Sequence, residues 1–426
     1  MPNGEDGMMK RSVLIVAMLM FGGWCLAADW PRWRGPDGTG HVPAGVAVPK
    51  TLPGEPKVLW RVKVGSGLAS PVVSGGKVFH LDHQDGKEVV HALDAASGKE
   101  LWSAPLDEVF KDFQSVPAPR CTPVVDGERV YVQSCRGEFQ CLNAADGKAV
   151  WRVNFVKDLG AEFMGERGSA VGASRHGNTG PAMVDGDRII VGVGSAKGAS
   201  VVCFDKKDGT VIWKSQNDVQ GYSGPVVATI AGVKQVVSFT SEAVIGLDAG
   251  DGKLLWRVPV KTQFGRHVTT PVVVEDMVMV ASHQVGLMGV KVSKQGDAIK
   301  AEQAWVNKTA AVNFASPVAV GNYLYGIGPG KGLFCVDVRN GQKAWAKDDF
   351  FADMVTKSYA SFLVMGDNIL VLTENGQLLL VAADPKECRV ISKVQVCGQN
   401  WCNPAYADGK LFLRDAQELR CVQLMP

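Results

Sequence analysis

Leu93-Asp94-Ala95-Ala96-Ser97-Gly98-Lys99-Glu100-Leu101-Trp102 decides the fold, because its pattern comes back four more times. It recurs from Leu142-Asn143 through Gly147 to Trp151, from Phe204-Asp205 through Gly209 to Trp213, from Leu247-Asp248 through Gly252 to Trp256, and from Val336-Asp337 through Gly341 to Trp345. Each time the Asp or Asn lies eight residues before the Trp and the Gly four before it. An Asx side chain bonds the backbone two residues on, Gly supplies a positive φ, and together they close a tight hairpin between two strands. The Trp that follows buries a large ring on the second strand.

A second hairpin precedes each of these. Val72–Phe79, Val124–Tyr131 and Met183–Ile190 carry it, and the segments 318–325, 363–370 and 405–412 repeat the plan. Four short antiparallel strands per unit are the mark of a propeller blade. Units open at Pro71, Pro123, Pro181, Pro225, Pro271, Pro317 and Pro404, with Phe362 in the equivalent place, so eight starts fall at blade-like intervals. The eighth unit ends near Leu424 without an outer Trp strand, and Val58-Leu59-Trp60-Arg61-Val62 ahead of the first unit supplies one. The reading is an all-β, eight-bladed propeller over residues 58–426, closed by an N-terminal strand in the last blade. Gly296 lies nine residues before Trp305, and Ala383-Asp384-Pro385 leads to no Trp, so seven blades is the alternative.

These residues resemble the bacterial β-propellers with PQQ-type repeats, over roughly residues 58–424. Asp29-Trp30-Pro31-Arg32-Trp33-Arg34-Gly35-Pro36-Asp37-Gly38 also looks like the mature start of secreted members. The resemblance implies either a quinoprotein dehydrogenase or a non-catalytic scaffold such as the outer-membrane assembly protein BamB; membership alone does not choose between them.

Composition sets the outer limits. Of 426 residues 46% are hydrophobic and 21% charged, enough apolar content for a core and too little charge for a disordered chain. A net charge of +2 offers no electrostatic footprint for nucleic acid. Lys10 and Arg11, an apolar run from Val13 to Phe21 and small Ala27 and Ala28 read as a cleaved export signal over residues 1–28, followed by an extended segment over 29–57. The apolar run is too short to span a bilayer. The product is expected in the periplasm or outside the cell, as a monomer. Cys25 offers a lipid-anchor alternative, which the bulky Trp24 before it opposes.

Ten cysteines in an exported chain raise the question of disulfides. Cys141, Cys203, Cys335 and Cys421 fall at one repeat position, filled by Ala92 and Gly246 elsewhere, and read as buried core thiols. Cys135 with Cys141, and Cys397 with Cys402, are close enough in sequence to pair. His80-Leu81-Asp82-His83 puts its two imidazoles on opposite faces of a strand, so no metal ligands are assigned.

No catalytic residue is assigned either. The regularly spaced Trp60, Trp102, Trp151, Trp213, Trp256, Trp305 and Trp345 read as structural. Candidate binding residues sit in the long inter-blade connections, which gather on one face around the channel mouth: Arg120, Arg175, His176, Tyr222, Arg266, His267, Asn313, Tyr359 and Trp401. Asn178, Phe314 and Asn400 lie in the same connections. Basic, amide and aromatic groups there suit a small anionic or planar ligand. The Gly-rich connection from Gly160 to Gly180, with Arg167, is the longest.

Scaffold is the preferred function, presenting the loop face to a protein or cell-envelope partner, with no cofactor. The alternatives are a small-ligand or carbohydrate-binding propeller and a PQQ-dependent dehydrogenase with Ca²⁺. Against the last, no two cysteines are adjacent, and no calcium-binding Glu, Asn and Asp set can be placed.

Overall fold

The computed structural model describes residues 29–112, 116–165, 171–355 and 359–425. The expected export signal, Cys25 and Arg167 lie outside them. Eight four-stranded antiparallel sheets make up the molecule, in sequence order from the inner strand outward in seven of them. Blade 1 consists of β2 (Val72–Ser74), β3 (Lys77–Gln84), β4 (Lys87–Asp94) and β5 (Glu100–Glu108). Blades 2 to 7 follow over residues 124–154, 183–215, 226–259, 272–307, 318–347 and 360–395. In blade 8 the outermost strand is β1 (Lys57–Lys63), paired antiparallel with Glu418–Gln423. The ring has eight blades, not seven, and its two chain ends meet inside one sheet.

The repeated Trp and Gly explain how blades hold each other. Trp60 Nε1 donates to the Ala95 carbonyl of blade 1 at 2.9 Å, Trp102 to Ala144 of blade 2 at 3.1 Å, and Trp305 to Val338 of blade 6 at 2.9 Å. The hairpin Gly of the next blade lies flat on the same indole. A Cβ at Gly98 would stand 2.7 Å from Trp60, at Gly147 2.5 Å from Trp102, and at Gly341 2.4 Å from Trp305. The Gly therefore serves both its positive φ and the close approach of a neighbouring ring.

Within each blade the Trp faces the small repeat position: Ala92 pairs with Trp102, Cys203 with Trp213, Gly246 with Trp256, Gly289 with Trp305. Blade 7 has no Trp, and there Leu380 fills the position opposite Ser392. Small opposite large and large opposite small keep the volume of each layer constant. The nine described cysteines are all free thiols, so neither Cys135–Cys141 nor Cys397–Cys402 is bridged. Burial pushes the Cys141 and Cys203 thiols up to about 11.

Residues 29–42 run across the channel at the end where the short hairpin turns lie. Trp30 pairs with Val73 of blade 1 through two backbone bonds, and the Pro31 carbonyl accepts from Val125 of blade 2. Arg32 donates to the Val184 carbonyl of blade 3 at 3.0 Å, Trp33 Nε1 to Thr270 at 3.1 Å, and Arg34 to the Pro317 carbonyl at 2.7 Å. His41 bonds the Ala319 carbonyl of blade 6, and Val42 and Gly40 bracket Val364 of blade 7. Inner strands are sheet edges with unpaired polar groups, and this segment satisfies them. Arg34 is 4% exposed, and burial holds its guanidinium down at about 10.

Candidate functional site

On the opposite face the inter-blade connections pack into one another. Gly172 donates to the Phe264 carbonyl, Ala173 to that of Gln220 and Tyr222 to that of His267, which ties the 2–3, 3–4 and 4–5 connections by backbone bonds of 2.8 to 2.9 Å. The Tyr222 hydroxyl adds a 2.5 Å bond to the Gly172 carbonyl. Loops fixed to this degree form a surface rather than a fringe.

Asp112, in the connection after blade 1, organises one group. Its carboxylate accepts from Arg120 at 2.8 Å and lies 3.2 Å from His176 Nδ1, while Arg120 also donates to the His176 carbonyl. Burial holds the His176 imidazole below its usual value. Its ring lies 5.8 Å from that of Tyr222. Beside them, the guanidinium carbons of Arg175 and Arg266 stand 5.0 and 4.9 Å from the centroid of the Phe264 ring. Arg175 sits on a single helical turn, Ala173–His176, and Arg266 two residues after Phe264.

A second, aromatic group gathers the connections after blades 5, 6 and 7. Tyr359 and Trp401 stack in parallel, centroids 5.1 Å apart, and Phe314 packs on Trp401 at 5.3 Å. The Trp401 Nε1 donates to Glu374 Oε1 at 3.0 Å. Asn313 is half-buried next to Phe314.

The structure thus brings Arg120, Arg175, His176, Tyr222 and Arg266 together, and Tyr359 with Trp401 in a separate group. His267 is placed differently: it is fully buried, stacked on Phe239 at 4.1 Å, with Nδ1 2.5 Å from the Thr240 carbonyl, and burial lowers its pKa to about 4. Tyr359, Asn178 and Asn400 are buried as well. The seven Trp lie on outer strands, away from both groups.

Sequence reasoning missed Phe264, Asp112 and Glu374, which brace the predicted residues. It also missed Glu88, fully buried beside the Cys135 amide, whose carboxyl burial pushes up to about 8. Of the His80-Leu81-Asp82-His83 stretch, His80 stacks on His91 while His83 bonds Ser66 and the Gly86 amide, so the two imidazoles do not converge.

PQQ with Ca²⁺ is poorly matched to this face. A calcium ion needs six to eight oxygen ligands. Of the described carboxylates in these connections and beside them, Asp112, Asp218 and Glu374 are engaged by Arg120 and His176, by Arg257 and by Trp401 respectively. Among the described residues no three His, Cys, Asp or Glu side chains group as metal ligands.

A sequence model described as outer membrane protein assembly factor BamB matches residues 53–173 and 86–347. The protein of that name from Yersinia pestis is 24% identical over 335 residues, covering 73% of this chain and 76% of that one. The Escherichia coli K12 protein is 24% identical over 377 residues, covering 84% and 86%. Among solved structures, BamB from Moraxella catarrhalis gives a TM-score of 0.57 at 16% identity, over 87% of this chain and all of that one. That likeness speaks for the fold. With the repeat read in the sequence, the eight blades and a family match running from residue 53 to 347, the chain belongs to the PQQ-repeat β-propeller family of outer membrane protein assembly factor BamB.

Proposed function

We propose that the chain is an exported, non-catalytic scaffold that docks through its loop face onto a protein of outer-membrane assembly. The family match over residues 53–347 is the observation that carries this reading. The architecture supports it. The short-turn end of the channel is occupied by the chain's own residues 29–42, while the other face offers connections from neighbouring blades bound into one surface. No helix among the described residues is long and apolar enough to cross a membrane.

Site-specific photocrosslinking in cells tests the proposal. A crosslinking residue at Gln263, on the loop face, is expected to give a discrete adduct with an outer-membrane assembly protein, identified by mass spectrometry. The same residue at Asp208, on a hairpin of the opposite face, is expected to give none. Equal adducts from both positions, or none from Gln263, overturn the reading.

A further inference from the structure

We propose that Arg175, Phe264 and Arg266 form a clamp for two carboxylates of an acidic, extended segment in a protein partner. This rests on the docking reading above and names what the loop face grips.

Among the described residues neither Arg175 nor Arg266 has a carboxylate within ion-pair distance, whereas Arg120 beside them is paired with Asp112. The Nε atoms of both are buried without a hydrogen-bond partner. Their terminal nitrogens make no hydrogen bond to the described protein and are not among its buried unpartnered atoms, so they remain open to a ligand. Both guanidinium groups are held on one phenyl ring, which fixes their direction before anything binds. Preorganised donors of this kind lose little freedom on binding.

The local charges do not cancel. Among the described residues Asp112 offsets Arg120, the Tyr222 phenol carries no charge, and burial and Arg266 hold His283 toward its neutral form. Among the described residues that leaves Arg175 and Arg266 without a carboxylate partner, partly desolvated and close together, and a bound anion would relieve their mutual repulsion. A guanidinium matches the planar fork of a carboxylate.

Spacing argues for two carboxylates on one strand. Each guanidinium carbon lies within 5.0 Å of the same centroid, so at most about 10 Å separates them. Alternate residues of an extended chain are roughly 7 Å apart and point the same way. An acidic pair at i and i+2 therefore reaches both groups.

The test uses the full chain, a fluorescein-labelled hexaglutamate peptide at low salt, hexaglutamine as control and inorganic phosphate as competitor, with binding read by anisotropy. Saturable binding of hexaglutamate is expected, weakened tenfold or more in Arg175→Gln and in Arg266→Gln. Arg389→Gln, a remote exposed arginine, is expected to bind as the parent does. Circular dichroism and melting midpoints check that each variant is folded. Binding that ignores both substitutions, or its absence in the parent, overturns the clamp. Phosphate held at the same residues without peptide binding also overturns it, in favour of an inorganic anion site. If the clamp fails while the Gln263 adduct persists, docking stands and only its chemistry is wrong.

Discussion

At the scale of single residues, the repeat's Gly is tested by comparing two glycines of like φ. Gly147, at φ +71°, would drive a Cβ against Trp102, whereas Gly127, at φ +55°, has nothing within 4 Å. Gly127→Ala is expected to cost about 1 kcal/mol, the left-handed penalty alone, and Gly147→Ala several times that, as read by urea midpoints. Glu88 makes a prediction in pH. Its carboxyl pKa is raised from 4.5 to about 8 in the folded chain, so between those values the folded state keeps a proton that the unfolded state has released. The stabilisation from protonation is whole below pH 4.5 and lost as the pH rises through 8. Thermal midpoints should therefore fall more between pH 5 and 8.5 for the parent than for Glu88→Gln, and parallel curves would refute this. The blade residues were legible because each turn dictates its own chemistry. Glu88 was not, since nothing in Lys87-Glu88-Val89 signals that blade 2 will cover it.

At the scale of elements, hairpins and blades could be read from spacing, because a local turn fixes both strands that it joins. The plug over residues 29–42 could not. Its Trp, Arg and Gly have no period, and its partners are backbone groups of five different blades together with the Thr270 hydroxyl ahead of a sixth. Trp30 anchors it, 2% exposed, with its ring against Gly35. Trp30→Ala is expected to cost about 3–5 kcal/mol and to make the N-terminal segment susceptible to limited proteolysis ahead of the ring. A midpoint unchanged from the parent would show that the plug adds nothing to stability. The loop face was legible in part. Arg175 and Arg266 stood out as basic residues in long connections, but their convergence on Phe264 depends on the three connections being bound to one another, which no linear spacing conveys.

At the scale of the whole molecule, stability depends on closure. Seams are docked by Trp wherever the hairpin Gly follows in the next blade, but Trp256 turns instead to Gln235 of its own blade at 2.6 Å, and blade 7 has no Trp to offer. Blade 8 is completed by β1 alone. Removing residues 29–64 is expected to leave the Glu418–Gln423 strand as a bare edge and to yield soluble aggregates on size-exclusion chromatography. A well-behaved monomer would show that the ring closes without its N-terminal strand. The placement of β1 also imposes an order of events. Trp60 is made long before Cys421, yet the two face each other across one ladder. A nascent chain must therefore keep β1 unmatched until the strand Glu418–Gln423 has been made, and throughout that interval the open circle is exposed to whatever holds unfolded chains in its compartment.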